Sequence, residues 1–344
     1  MKMTKITNYS KFSIKKRGIF FTFISLTIMA ILILIYTPQA DITIQKDTKA
    51  ERLRIESINS YINDLENGFM ITVMKATAQK TLTSLSFYVN KTQSPVKDFD
   101  AAFAEVMLNG TINNVAIDSI TGKKIMENST LSNWTARFIE AGWDTYNVNT
   151  SIALGKVIAN QTTPWDVDLS LKISLDVKSN LAEWKRDNIT LRTSIGIEDF
   201  YDPLYLMNTR GLYPNKIKIS DVEFNQWNIT VTRNHLKNGT YVHWQNSDGP
   251  SFIMRFSNTT TNSSCCGIES LVNPNLITPP DQAGSYVDYL FWNQTYISQC
   301  TQLYNVTNPA AGNIGLWDEF RFFKLDFDHI TKYNITSEYA IRSC

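Results

Sequence analysis

The sequence contains few of the residues from which most active sites are built. Its 344 residues include only 14 glycines and three histidines, and the histidines lie in separate segments. No HExxH pair, GxSxG elbow, P-loop or GxGxxG motif is present, and the scarcity of glycine argues against a phosphate-binding loop. We therefore expect no enzymatic activity and no cofactor.

Charge is also scarce. Charged residues make up 19% of the chain and the net charge is +1, so the sequence lacks the basic field that nucleic-acid binding requires. We therefore expect no nucleic-acid partner. The cations are unevenly placed, because Lys2, Lys5, Lys11, Lys15, Lys16 and Arg17 precede the first apolar run with no acidic residue among them.

One uncharged apolar run follows these cations, at residues 18–36. As a helix it would span roughly 27–28 Å, close to the hydrocarbon thickness of a bilayer. We therefore predict a basic cytoplasmic leader at 1–18 and a transmembrane helix at 19–37 that Pro38 stops or kinks. The basic side should stay inside, which predicts a single-pass protein of the cell membrane, in contact with lipid, with its C-terminal domain outside. The alternative is a cleaved secretory signal, but such signals usually have an apolar region of only about 7–15 residues.

Asn-x-Ser/Thr triplets are unusually frequent after this run. Chance would give roughly five in a chain of this composition, and fourteen are present. The excess favours an N-glycosylated, extracytoplasmic domain, whereas the alternative is a bias toward Asn and Thr in polar turns. Asn8 also matches but lies on the predicted inner side. The fourteen candidates are Asn90, Asn109, Asn128, Asn133, Asn149, Asn160, Asn188, Asn228, Asn238, Asn258, Asn262, Asn293, Asn305 and Asn334.

The four cysteines, Cys265, Cys266, Cys300 and Cys344, all lie in the last quarter of the chain. An even number in an exported domain favours disulfides, and the spacing lacks the paired knuckles of a zinc site. A bond between Cys265 and Cys266 would be strained. We therefore expect each of them to pair with Cys300 or Cys344, and both such pairings stay open.

The hydrophobic periodicity predicts an α+β fold. An amphipathic helix should fill most of 38–94, because apolar residues recur three or four apart between 49 and 89. A helical segment at 95–150 should contain helices at 98–108 and 132–146, and 151–344 should form a mainly antiparallel, β-rich domain. Alternation predicts strands at 167–177 and 188–197. Further strands are expected at 216–219, 227–232, 241–245, 251–256, 286–292 and 320–325, with a hairpin turn at Asn238-Gly239.

Two acidic clusters are candidate cation sites. Asp326 and Asp328 would share a face of a strand and could supply metal ligands or support a Ca²⁺-dependent hydrolase, and Glu198, Asp199 and Asp202 could help to hold Ca²⁺. The alternatives are an ordinary strand end and an ordinary turn, and no full ligand set is visible. The eight tryptophans (Trp134, Trp143, Trp165, Trp184, Trp227, Trp244, Trp292 and Trp317) could form a sugar-binding surface, although core packing is the alternative that we favour.

The segment Lys15-Lys16-Arg17-Gly18 followed by Ile19-Phe20-Phe21 resembles the class III signal of type IV pilins and related archaeal surface proteins. The resemblance implies that a prepilin peptidase cuts after Gly18, that Ile19 begins the mature chain, and that a long helix packs on a globular head. It also implies pilin-like or surface-assembly partners. Major pilins carry Glu at the fifth mature position, where this chain has Phe23, so the resemblance points to a minor component. The body of the chain resembles uncharacterised, membrane-anchored archaeal glycoproteins.

Together these features predict a membrane-anchored, glycosylated surface protein, of minor-pilin type in a filament or secretion assembly. The alternative is a membrane-anchored binding or adhesion module that recognises a glycan or a partner protein through its β-rich domain.

Overall fold

The computed structural model describes residues 16–245, 249–278, 284–293, 302–307 and 322–342, and for residues 16–20 and 34–48 it describes the backbone alone. The chain divides into two compact units, Met1–Tyr61 and Ile62–Cys344. Helices and antiparallel sheets are combined, as the sequence predicts for an α+β fold.

The first unit contains most of helix α1, Lys16–Asp64, which has 49 residues. The prediction of a transmembrane helix at 19–37 is wrong, and with it the prediction of a single-pass protein of the cell membrane. Among the described residues, no helix combines the length and the apolar character that crossing a bilayer requires. The apolar run is not an element of its own, because the helix continues through Pro38 into a charged region. Gly18 and Ile19 lie in the first turn of α1.

A single π-helical turn, Leu65–Phe69, separates α1 from helix α2, Met70–Thr92. The turn coincides with Asn67-Gly68, where helix propensity is weakest. A π turn adds one residue to the helix and so rotates the apolar stripe that follows. Phe69, which the period places on the buried face, is 54% exposed, whereas Met70 and Met74 are fully buried.

The predicted helices of the next segment are confirmed. Helix α3, Phe99–Asn109, begins where Asp98 accepts a hydrogen bond from the Ala101 amide (3.0 Å) and ends at Gly110 in the left-handed conformation. Helix α5, Leu131–Tyr146, is capped by Thr130. Between them lie a two-stranded ribbon, β1 (Thr111–Ile112) and β2 (Val115–Ala116), and the short helix α4, Ile117–Thr121.

A three-stranded antiparallel meander forms the main sheet. Its strands are β3 (Asn149–Thr163), β4 (Asp166–Lys178) and β5 (Glu183–Gly196), with β4 in the centre. Every second residue of β4 is buried, as its alternation predicts. Helix α2 packs against β5, and α5 packs against β3.

Strand β3 was not predicted, because its alternation is broken where its register shifts between Leu154 and Val157. Gly155 lies at this shift, where a Cβ atom would come within 3.0 Å of the Lys172 carbonyl oxygen. The close approach of the two backbones therefore requires a residue without a side chain.

The described residues that follow β5 form mainly short helices and loops, so the prediction of a β-rich domain over 151–344 holds only for the first part of that range. The helices are α6 (Pro203–Asn208), α7 (Ile229–Asn238), α8 (Phe252–Phe256), α9 (Asp288–Phe291) and α10 (Phe327–Lys332), with 3₁₀ turns at Phe224–Gln226 and Pro274–Leu276. A second antiparallel sheet places β6 (Leu303–Val306) between β7 (Lys324–Asp326) and β8 (Ala340–Arg342).

Three predicted strands, at 227–232, 251–256 and 286–292, are wrong, because helices α7, α8 and α9 occupy these positions. Side-chain caps explain why two of these segments, those of α7 and α8, form helices. The Asn228 side chain accepts bonds from the amides of Thr230 and Val231 (2.9 and 3.0 Å), and Ser251 caps α8 in the same way. These caps and the packing of the helices outweigh the strand propensity of the β-branched residues. The predicted hairpin turn at Gly239 is instead the left-handed end of α7.

The predicted strands at 216–219 and 241–245 contribute only isolated β-bridges, including one between Ile219 and Tyr241. The end of the strand predicted at 320–325 lies in β7, whereas residues 320 and 321 lie outside the described part of the chain.

Candidate binding cleft

A half-open cleft of about 290 Å³ lies in the second unit. Its walls are formed by helix α6 and the turn that follows it, by the end of α7, by residues 271–277 and by the residue after α9. Its lining comprises the aromatic residues Tyr205, Tyr213 and Trp292, the aliphatic residues Leu212, Leu236, Leu271, Val272, Leu276 and Ile277, and the polar residues Thr209, Asn215, Lys237, Asn238 and Asn273, with Pro214 and Gly239.

Aromatic rings form part of the floor and walls. Tyr205 is only 6% exposed and meets Trp292 edge to face, with 6.2 Å between the ring centroids. Trp292 in turn packs edge to face on Phe291 at 4.5 Å. Tyr213 is 37% exposed, so it offers ring surface to a bound molecule.

Two of the lining asparagines are fixed by hydrogen bonds within the fold. Asn215 Nδ2 donates to the Gly239 carbonyl oxygen (3.2 Å) and to the Tyr241 hydroxyl (3.0 Å), so Oδ1 is the atom with which this side chain can accept. Asn273 Oδ1 accepts from the Asn275 amide at 3.0 Å, which leaves Nδ2 as a donor. The cleft thus offers both halves of the hydrogen bonding of an amide.

The lining contains no carboxylate, and Lys237 is its one charged residue. General acid–base chemistry normally needs a carboxylate, a histidine or a comparable group within hydrogen-bond reach of the substrate. The lining has neither a carboxylate nor a histidine, and its ionisable side chains are those of Lys237, Tyr205 and Tyr213.

Behind the cleft lies a fully buried cluster around Arg255, which we call the arginine cluster. Arg255 Nη1 lies 2.7 Å from a carboxylate oxygen of Asp202 and 2.7 Å from one of Asp288, and Nη2 donates to the Ile268 carbonyl. The Tyr241 hydroxyl donates to Asp202 at 2.7 Å. Since Tyr241 also accepts from Asn215, a chain of hydrogen bonds connects the cleft to the cluster.

A second buried group, the histidine cluster, adjoins the first through the neighbouring residues Ile268 and Glu269. His329 lies between Asp326 (Nδ1 to Oδ1, 2.7 Å) and Glu269 (Nε2 to Oε2, 3.2 Å). The Tyr333 hydroxyl and the Trp244 indole donate to Glu269 at 2.8 and 2.6 Å. The Ser285 hydroxyl donates to Asp326 at 2.7 Å.

The charges of these clusters follow from their surroundings. Burial alone would lower the pKa of His329, but the charge of Glu269 and the hydrogen bonds with Asp326 and Glu269 outweigh it and raise the pKa to about 10. Burial would raise the pKa of Asp326, yet its hydrogen bonds with His329 bring it down to about 2. His329 is therefore a cation at neutral pH and Asp326 an anion.

Around the arginine cluster, burial outweighs the neighbouring positive charge in setting the pKa values of Asp288 and Tyr205. Burial, only partly offset by Arg255, raises the pKa of Asp288 to about 6, and the neighbouring charge of Asp202 adds to the rise. Burial and then the charges of Asp288 and Asp202 raise the pKa of Tyr205 well above its ordinary value, so the floor of the cleft stays neutral. Because both clusters are enclosed and their charged groups are hydrogen-bonded, we assign them a structural role.

The two candidate cation sites are not assembled. Asp326 caps helix α10 and is bound to His329 and Ser285, whereas Asp328 is exposed. Asp202 faces Arg255, while Glu198 and Asp199 are exposed. In the described part of the chain, no group of three or more His, Cys, Asp or Glu residues is placed to hold a metal ion.

The predicted glycosylation sites are all among the described residues, and none is buried. Asn90, Asn293 and Asn305 are half-buried, and the other eleven asparagines are exposed. Whether they carry glycans stays a prediction.

The expected pairing of the cysteines is wrong, because Cys265 and Cys266 are bonded to each other. Both sulfur atoms contact the carbonyl oxygen of Gln161 at 3.4 Å. Cys300 and Cys344 lie outside the described residues.

The described tryptophans include both buried and exposed side chains. Trp227 (1% exposed) and Trp244 belong to the core, where both pack edge to face on Tyr333. Trp292 lines the cleft, and Trp143 is 59% exposed on α5. Trp317 lies outside the described residues.

Sequence reasoning missed the cleft and both clusters. Arg255, Asp202 and Asp288 are far apart in the sequence, and each is surrounded by residues that match no motif. One signal was available, since an arginine between Met254 and Phe256 in an apolar segment points to a buried ion pair.

A comparison of the chain with known protein families, with curated proteins and with solved structures found no match. The resemblance to minor pilins and the expected lack of enzymatic activity therefore stay predictions.

Proposed function

We propose that this protein is a carbohydrate-binding protein whose cleft accepts one N-acetylhexosamine ring. The observation that carries the proposal is the composition of the cleft, which combines partly exposed aromatic rings with amide side chains and has no carboxylate. Aromatic faces pack against the apolar faces of sugars, and the few polar groups of such a site fix the orientation of the ligand.

The acetamido group is the part of such a sugar that fits this cleft best. Its N–H can donate to Asn215 Oδ1 and its carbonyl can accept from Asn273 Nδ2, and these are the two atoms that the internal hydrogen bonds leave available. Its methyl group can pack against aliphatic side chains such as Leu236 and Leu271. The lining has no carboxylate, so the hydroxyl groups of a sugar meet no fixed negative charge there.

The size of the cleft limits the ligand. Its volume of about 290 Å³ is at the lower end of the range for small-molecule sites, about 300–1,000 Å³, so one ring is accommodated rather than several. At about −0.3 kcal/mol per non-hydrogen atom, the roughly 15 such atoms of N-acetylglucosamine give a binding free energy of roughly −4.5 kcal/mol. This corresponds to a Kd of roughly 0.5 mM.

The test is a calorimetric titration of the full chain, produced without glycosylation, with N-acetylglucosamine, N-acetylgalactosamine and glucose. We expect both acetamido sugars to bind at least about tenfold more tightly than glucose, because glucose lacks the group that engages the amides. Equal binding of all three sugars would contradict the assigned role of the amides, and no binding of any of them would refute the proposal.

Two variants locate the site. Tyr213→Ala removes exposed ring surface from the cleft and should weaken binding by about tenfold, which corresponds to about 1.4 kcal/mol. Trp143→Ala removes a more exposed ring from helix α5, outside the cleft lining, and serves as the matched control with unchanged affinity. If the two variants have the same effect, sugars bind to surface aromatic residues in general and the cleft is not the site.

A further inference from the structure

We infer that Asn238 is a glycosylation site whose attached sugar occupies the cleft and competes with free ligand. The inference rests on the proposed function, because it needs a cleft that accepts a sugar ring. It adds a regulatory property, which is that the affinity of the site depends on whether Asn238 is modified.

The position of Asn238 carries this inference. Of the three asparagines in the cleft lining, only Asn238 begins an Asn-x-Thr triplet, since Asn215 is followed by Lys-Ile and Asn273 by Pro-Asn. The triplet is the acceptor sequence for N-glycosylation. Asn238 is the last residue of α7 and is exposed, so a transferase can reach it at the rim of the cleft.

The local backbone keeps Asn238 at this rim. Gly239 follows it in the left-handed conformation (φ +60°), and its amide bonds to the His235 carbonyl oxygen at 3.0 Å. The Gly239 carbonyl oxygen accepts from Asn215 across the cleft wall, and the Thr240 hydroxyl lies 2.5 Å from His235 Nδ1. The residues on both sides of the modified position are thus anchored, and the side chain alone is left to move with its sugar.

The competition can be estimated from the effective concentration of a tethered ligand. A sugar on a short link has an effective concentration in the millimolar range, about 5 mM. Against a Kd of roughly 0.5 mM, the tethered sugar would fill the cleft about ten times out of eleven. The apparent Kd for free N-acetylglucosamine would then rise about tenfold.

The experiment uses the full chain secreted from mammalian cells with high-mannose glycans, which are then trimmed by endoglycosidase H so that each occupied site keeps one N-acetylglucosamine. Mass spectrometry measures the occupancy of Asn238, and calorimetry measures the Kd for free N-acetylglucosamine. The same chain made without glycosylation gives the reference affinity.

Asn238→Gln is the test variant, because Thr240→Ala would also remove the contact with His235. We expect the trimmed wild type to bind about tenfold more weakly than the unglycosylated wild type. Asn238→Gln itself changes a residue of the cleft lining, so it is prepared in both forms, and we expect its trimmed and unglycosylated forms to bind equally tightly. Asn160→Gln is the matched control. It removes an exposed acceptor of β3 that is outside the cleft lining, so its affinity should equal that of the trimmed wild type.

An unmodified Asn238, equal affinities for the trimmed and unglycosylated wild type, or the same loss of affinity on glycosylation in Asn238→Gln, would overturn this inference and leave the proposed function intact. A failure of the unglycosylated chain to bind any acetamido sugar would overturn both.

Discussion

Replacement of His329 by glutamine should destabilise the protein strongly, and by an amount that depends on pH. His329 lies between Asp326 and Glu269, 2.7 and 3.2 Å from their carboxylate oxygens, in a place from which water is excluded. Glutamine can keep some of the hydrogen bonds but not the positive charge. Removing one partner of a buried ion pair typically costs about 3–5 kcal/mol.

The pH dependence follows from the pKa of His329, which is about 10 in the folded protein and about 6.5 in the unfolded chain. Because the folded-state value is raised, the stabilisation is complete below about pH 6.5 and is lost as the pH rises toward 10. The difference of about 3.5 pKa units corresponds to roughly 5 kcal/mol at most, with a slope of about 1.4 kcal/mol per pH unit. The stability difference between wild type and His329→Gln should therefore shrink by roughly 3 kcal/mol between pH 7 and 9.

The assay is urea unfolding at several pH values between 7 and 9, followed by tryptophan fluorescence. His235→Gln is the matched control, because burial lowers the pKa of His235 to about 4. His235 is thus neutral in the folded protein over this pH range, so its replacement should cost a nearly constant free energy. A constant difference for His329→Gln as well would refute the conclusion that His329 is a buried cation.

Three further predictions concern other parts of the second unit. In the arginine cluster, the pKa of Asp288 is raised to about 6 from about 3.9 in the unfolded chain. Wild type should therefore lose roughly 2 kcal/mol of stability relative to Asp288→Asn as the pH rises from 4 to 6, and urea unfolding that shows no such loss would contradict the raised pKa. Gly239→Ala should lower the stability by about 1–2 kcal/mol in thermal unfolding, because Gly239 is in the left-handed conformation. It should also weaken sugar binding, because a Cβ atom at this position would lie 2.8 Å from Asn215 Oδ1. Unchanged stability would show that the left-handed turn is not maintained. Peptide mapping without reduction should place Cys265 and Cys266 in one peptide that gains two mass units on reduction, and a crosslink from either of them to another peptide would exclude the bond between them.

The sequence predicts those parts of the fold whose pattern is local and unbroken. Strand β4 alternates without interruption, and its boundaries are predicted to within about one residue. Helix α3 is flanked by Asp98 and Gly110, which supply a standard cap at each end.

Predictions fail where packing or an irregularity overrides the local pattern. The β-branched residues 229–232 favour a strand, yet Asn228 caps a helix there, and the buried His235 and Leu236 hold it in place. The π turn at Leu65–Phe69 rotates the helix face by one position, which periodicity cannot anticipate. The transmembrane prediction is wrong for a related reason, because the apolar run is only part of a longer helix and has no ends of its own.

The candidate site is hardest to predict, because no single segment contains it. Tyr205, Asn215, Asn238, Asn273 and Trp292 come from five separate stretches of the second unit. None of them belongs to a catalytic or metal-binding motif, and only the acceptor triplet at Asn238 is visible in the sequence. The acidic clusters of the sequence do not mark the candidate site, because the buried carboxylates of the described residues in this unit balance the charges of Arg255 and His329.

The most direct test of the central claim is a crystal structure of the unglycosylated chain soaked with N-acetylglucosamine. We predict electron density for one sugar ring in the cleft beside Tyr213 and Trp292, with the acetamido group bonded to Asn215 and Asn273. An empty cleft at a sugar concentration well above 0.5 mM, roughly the expected Kd, or a ring bound only elsewhere on the surface, would contradict the claim.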